Sequence, residues 1–213
     1  MENVKNGPFG RFCNYCFYWV EGKDSEGKRK LKKVRAVSQE FAIIEAEAAG
    51  LFGPFNVRCE ALEPPTDRQL ALAEKINLKV PEGCTKDDLG TMLSRCMDFD
   101  GDREPDPGLL HYAQDCGVCF SSFTGEKGLL QSMIAQLCAR DRAVLFAYAV
   151  HISRAGGCFK DPRKDPEASV FRRFADMVEA DPALWKSLEG RDLNDYESPN
   201  TRSKAYKAVM SCF

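Results

Sequence analysis

Two cysteine pairs at Cys-x-x-Cys spacing, Cys13/Cys16 and Cys116/Cys119, are the residues whose type and spacing most directly suggest chemistry. Each such pair can present both sulfurs from one tight turn, and two pairs brought together can complete a tetrahedral zinc site. That outcome requires the front and back of the chain to meet. The first pair lies in an aromatic, strand-like run, where positions i and i+3 point to opposite faces. Neither pair has Pro/Gly-rich turns on both sides. The primary reading is therefore core cysteines, with a zinc- or thiol-dependent regulatory module on Cys13, Cys16, Cys116 and Cys119 as the alternative. A redox dithiol at Cys116-Gly117-Val118-Cys119 would want a strand before it and a helix N-terminus at its first cysteine to stabilise the thiolate. A helical pattern precedes it instead.

Other catalytic constellations lack support in the sequence. The only histidines are His111 and His151, and neither has a serine or cysteine partner in a recognisable motif. His111 and Cys116 are five apart, which misses the same-face spacing of helical ligands. Gly125-Glu126-Lys127-Gly128 does not have the spacing of a phosphate loop. The expectation is a non-enzymatic chain with no cofactor.

The polar feature with the clearest physical use is a basic strand. Between Lys23 and Arg35 seven basic residues face only Asp24 and Glu26, a local excess of five within a chain whose net charge is −2. Arg29, Lys30, Lys32, Lys33 and Arg35, beside a strand carrying Phe17, Tyr18 and Trp19, could follow a phosphate backbone while exposed rings stack on bases. The competing reading is a lysine-studded edge strand that resists edge-to-edge aggregation.

These residues must be positioned by elements that the sequence marks well. An aromatic run over 9–20 and a basic run over 28–37, separated by Asp24-Ser25-Glu26-Gly27, predict a hairpin. Ser38 caps a helix over 39–49, with Phe41, Ile44, Ala48 and Leu51 as its apolar stripe, and a third strand follows over 56–62. Two Thr-capped helices are expected over 67–76 and 86–97. The stretch 98–107, rich in Asp, Pro and Gly, reads as an acidic linker. Helical patterns then cover 108–115, 126–139, 141–153, 166–180, 182–188 and 203–212, and the all-apolar run 143–150 predicts a central buried helix. No internal repeat is evident. The expected organisation is α+β: a ββαβ unit over 1–63, a helix-loop-helix hinge over 64–97, the linker, and an all-helical bundle over 108–213.

Composition agrees with a folded chain, at 44% hydrophobic and 29% charged residues, and no apolar run approaches the ~18 residues needed to span a bilayer. The opening Met1-Glu2-Asn3-Val4-Lys5-Asn6-Gly7 has neither an apolar core nor a small-residue cleavage site, so a cytoplasmic chain with reduced thiols is expected.

The segment Pro65-Thr66-Asp67-Arg68-Gln69, Ala73, Leu78-Lys79-Val80-Pro81-Glu82-Gly83 and Thr85-Lys86-Asp87-Asp88-Leu89 to Leu93 resembles the SAP-like helix-extended-loop-helix module of phage and mobile-element proteins. The resemblance implies DNA contact, with Arg68, Lys75, Lys79, Lys86 and Arg95 as candidates. Taken with the basic strand, the expectation is a phage-type interaction protein binding nucleic acid or a host nucleoprotein complex, in its most concrete form an anti-CRISPR or other anti-defence inhibitor. The contact residues are Arg29, Lys30, Lys32, Lys33, Arg35, Lys79 and Lys86.

Overall fold

The turn at Asp24 sets the register of the first strands. Asp24 Oδ1 accepts from the backbone N–H groups of Glu26 and Lys28, and the Asp24 carbonyl accepts from Gly27, whose φ of 78° glycine adopts without penalty. Strand β1 (Cys16–Lys23) pairs antiparallel with β2 (Arg29–Ala36) from Cys16↔Ala36 to Lys23↔Arg29. In the computed structural model, which describes residues 12–98 and 102–213, helix α1 (Gln39–Ala48) follows. Strand β3 (Phe52–Glu60) then returns antiparallel along the other side of β1, giving the order β2-β1-β3. The fold class is α+β, with this three-stranded sheet at the N-terminus followed along the chain by helices.

Several predicted boundaries move, for identifiable reasons. The expected first strand began at Phe9, which lies outside the described residues, as do Phe99, Asp100 and Gly101 of the linker. The ladder also runs beyond Val20 to Lys23, because the Asx turn lets pairing continue to its edge. Residues 12–14 are drawn off to another partner: Asn14 N–H donates to the Phe120 carbonyl and Ser122 N–H to that of Phe12. The stripe on α1 is corrected too. Ala42 and Ala46 face the sheet, together with Leu51, while Ile44 is exposed. Small residues let the helix lie close to Cys16, Tyr18, Val20, Val34 and Ala36.

Next come α2 (Asp67–Lys75) and α3 (Lys86–Met97), both opened by complete capping boxes, Thr66 with Gln69 and Thr85 with Asp88. Ala73, Leu89 and Leu93 form their shared core with Cys84. Helix α4 (Pro107–Asp115) and α5 (Glu126–Gln136) then repeat the pattern forty positions later. Thr66 and Asp106 are equivalent N-caps, and Asn77 (φ 54°) and Gly117 (φ 76°) hold the same left-handed position after the first helix. Ala73/Ala113, Leu89/Leu129 and Leu93/Met133 are buried in both copies. This duplicated helix-extended-loop-helix corrects the expectation of no repeat. The copies share element spacing more than identity: where Thr85 caps α3, Gly125 has no side-chain cap, and the Asp102 carboxylate accepts from the first turn of α5 at Lys127 N–H.

The chain divides into two units, Met1–Gly101 with Gly117–Thr124, and Asp102–Cys116 with Gly125–Phe213. In the second, α6 (Ala139–Ala155) is the central helix, with every residue from Ala143 to Val150 buried. Cys138 caps it, accepting from Asp141 N–H, so the break from α5 falls two residues earlier than the pattern predicts. Around α6 lie α7 (Ala168–Ala180), α8 (Pro182–Glu189), α9 (Leu193–Glu197) and α10 (Lys204–Met210). The short α9, opened by Asp192, carries no periodic apolar signal, yet it places Tyr196 edge-on to Phe146 at 5.5 Å. A 3₁₀ turn at Pro162–Lys164, likewise unmarked in the pattern, precedes α7.

Candidate nucleic-acid interface

Alternation along β1 divides its residues between two faces. Cys16, Tyr18, Val20 and Gly22 face α1, so Phe17, Trp19, Glu21 and Lys23 face the other way and are half-buried or exposed. The register places neighbours on both sides of each. Arg35, Phe17 and Glu60 form one cross-strand row, Lys33, Trp19 and Arg58 the next, Leu31, Glu21 and Asn56 a third, and Arg29 stands beside Lys23 at the end. Five cations thus share this face with two carboxylates, and the two aromatic rings occupy its central strand.

The local electrostatics are graded. Lys33 Nζ reaches Glu60 at 2.9 Å and lies over the rings of Phe17 (4.6 Å) and Trp19 (5.4 Å). Trp19 Nε1 donates to Glu60 Oε2 at 2.5 Å. The hydrogen bonds from Lys33 and Trp19 hold the Glu60 carboxyl below its ordinary range. Arg29 pairs loosely with Glu21 at 3.5 Å. Arg35 lies over the Tyr15 ring at 5.2 Å, and no carboxylate among the described residues pairs with Arg35 or Arg58.

Of the seven sequence-predicted contact residues, Arg29, Lys33 and Arg35 lie on this open face. Lys30 and Lys32 sit at alternate positions of β2 and point to the other side, with Lys30 3.9 Å from Asp24. Lys86 belongs to α3 and pairs with Glu63 at 2.8 Å; Glu63 also feels Lys33 and Glu60, and its carboxyl is lowered chiefly by Lys86. Lys79 is exposed in the loop before α3. Arg58 is the residue that sequence reading missed. Its signal is only a period-two position on a strand whose neighbour could not be known before pairing.

The four Cys-x-x-Cys sulfurs do not assemble into one site. Cys13 is fully buried and donates to Asp88 Oδ1 at 3.1 Å. Cys16 meets Cys59 at 2.6 Å between sulfurs. Cys119 packs with Cys13 and Tyr15 in an apolar cluster, while Cys116 belongs to the second unit. Gly117, in the left-handed region at φ 76°, follows the end of α4 between the two cysteines. Burial pushes the thiols of Cys116 and Cys119 up to about 12, which disfavours the thiolate a metal requires. Among the described residues no group of three or more His, Cys, Asp or Glu is placed to hold a metal ion.

A second polar cluster lies inside the first unit. Asp88, with no exposed surface, accepts from Ser121 Oγ (2.5 Å) and Cys13 Sγ on one oxygen, and from Thr85 N–H (3.0 Å) and Thr85 Oγ1 (2.7 Å) on the other. Asn14 binds the Val118 carbonyl and the Phe120 N–H with its two amide ends. These groups are satisfied by one another, so the cluster fastens residues 12–14 and Gly117–Thr124 to α3. No helix of the described residues is long and apolar enough to cross a membrane. Comparison with family models, with curated proteins and with solved structures finds no match.

Proposed function

We propose that this chain is a non-enzymatic binding protein whose open sheet face engages single-stranded nucleic acid, either free or exposed within a nucleoprotein complex. The observation that carries the reading is the grid itself: Phe17 and Trp19 in the central strand, flanked by Arg35 and Lys33 on one side and Arg58 on the other. Stacking on a flat ring needs an unpaired base, and every base has a face to offer, so such a platform favours single strands over duplex. Phosphates would draw Lys33 from Glu60 and uncover the rings it caps. A phage-type anti-defence inhibitor, the form suggested by the SAP-like resemblance around α2 and α3, would use the same face against the nucleic-acid strand of a CRISPR-type complex.

The test is a fluorescence titration. The chain has two tryptophans, Trp19 and Trp185, so Trp185→Phe leaves Trp19 as the reporter. Adding a short single-stranded oligonucleotide at low salt should quench Trp19, and affinity should fall with rising salt. Lys33→Glu, Arg35→Glu and Arg58→Glu combined should abolish the signal, and duplex of the same sequence should bind more weakly. If no oligonucleotide binds at low salt, or the triple charge reversal leaves binding intact, the basic strand is a solvated edge and the proposal fails. An inhibitor role further predicts that the triple variant loses any interference with a purified effector complex.

A further inference from the structure

We propose that Cys16 and Cys59 form an intramolecular dithiol that closes to a disulfide between β1 and β3, making this pair an oxidative modification site beneath the open face. Tyr18 stands directly opposite Cys59, so Cys16, two residues along β1, is the diagonal neighbour on the same face of the sheet. The sulfurs meet at 2.6 Å across 43 residues of sequence. Their exposure is unequal, since Cys59 is exposed and Cys16 buried. An accessible thiol with a buried resolving thiol beside it is the arrangement that turns a first attack on one sulfur into an internal cross-link.

Other cysteines face different partners. Cys13 donates to Asp88, Cys138 to Asp141, and Cys212 approaches the Met177 thioether at 3.5 Å. The co-reactant is a low-molecular-weight disulfide. Cys59 loses its proton and attacks one sulfur of that disulfide, whose S–S bond breaks; the departing small thiolate takes up a proton. Cys16 then loses its proton and attacks the Cys59 sulfur, breaking the mixed disulfide and releasing the second small thiol. Two protein thiols are oxidised to one disulfide, and one small disulfide is reduced to two thiols. Burial and the adjoining Cys16 thiol push Cys59 up to about 12, with Tyr18, Glu40 and Glu60 the other titratable groups nearby. Thiolate is therefore scarce at neutral pH, and the exchange is followed over hours in mildly alkaline buffer.

The experiment incubates the fully reduced protein with oxidised glutathione, blocks remaining thiols by alkylation and maps the linked peptides by mass spectrometry. The expected product joins the peptides containing Cys16 and Cys59. Cys16→Ser should instead trap a glutathione adduct on Cys59, because the resolving thiol is gone. Closing a loop of this length should raise the thermal midpoint of the oxidised protein on the order of 10 °C above the reduced form, a shift absent in Cys59→Ser. A wild-type map without a 16–59 linkage overturns the proposal whether or not the Cys16→Ser chain folds. So does the same stable adduct on Cys59 in wild type and variant.

Discussion

Asp88→Ala tests whether the first unit is fastened through one buried carboxylate. The side chain accepts four hydrogen bonds and has no exposed surface. Alanine orphans the Thr85 N–H at the start of α3, removes half of a capping box, and strips the Ser121 and Thr85 hydroxyls of their acceptor. Each buried donor left without a partner costs about 1–3 kcal/mol, and the sulfhydryl of Cys13 adds little because it is a weak donor. Part of this is offset, because the cost of keeping a carboxylate out of water disappears with it. The expected net loss is about 3–5 kcal/mol, a large share of the ~5–15 kcal/mol that holds a typical domain folded. Asp88→Asn keeps one acceptor oxygen but turns its amide toward donors, so it should lose about 2 kcal/mol. Urea unfolding in the Trp185→Phe background, read through Trp19, measures both variants against Glu74→Ala as an exposed control. A loss below about 1 kcal/mol for Asp88→Ala would refute the claim that these four contacts hold the segments together.

Three further outcomes follow from single contacts. Gly117→Ala should destabilise by about 2 kcal/mol or more in the same urea assay, because φ is 76° and a Cβ would stand 2.4 Å from the Phe41 ring, whereas Asn77→Gly at the equivalent position should be nearly neutral. Phe146→Ala, which empties the space between Phe174, Tyr196 and Arg191, should cost about 3–5 kcal/mol by circular dichroism. Glu60 is depressed by Lys33 and Trp19, so its contribution is complete above the ordinary carboxylate range and is lost only as pH falls through the lower folded value. Trp19 emission should therefore change at a pH below that of a free glutamate, and Glu60→Gln should remove that step.

Local chemistry wrote much of this fold into the chain. Thr66, Thr85 and Ser38 cap the helices they were expected to open, because a cap joins a side chain to backbone two or three residues away. The hairpin was legible from its turn residues, and α6 from a run that is apolar all round. The stripe on α1 was misread because Ala42 and Ala46 signal less hydrophobicity than Ile44, although close packing on a sheet selects small residues. The duplication escaped notice for a related reason. Asn77 and Gly117 satisfy one left-handed position with different side chains, and Thr85 and Gly125 solve one cap in different ways.

By itself, then, the sequence determined where helices and turns begin, that a basic strand lies beside an aromatic one, and that the chain alternates buried and solvated faces. Only tertiary structure decided which of those side chains meet. The strand order β2-β1-β3 put Arg58 beside Trp19 on the open face, and the β1–β2 register set Lys30 and Lys32 opposite Gly22 and Val20 on the other. Antiparallel pairing brought Cys16 to Cys59 rather than to the second Cys-x-x-Cys pair, and the return of Gly117–Thr124 set Ser121 and Cys13 on one oxygen of Asp88. These contacts join residues 33 to 75 positions apart, and the energies that select them arise from burial and register, which no local pattern encodes.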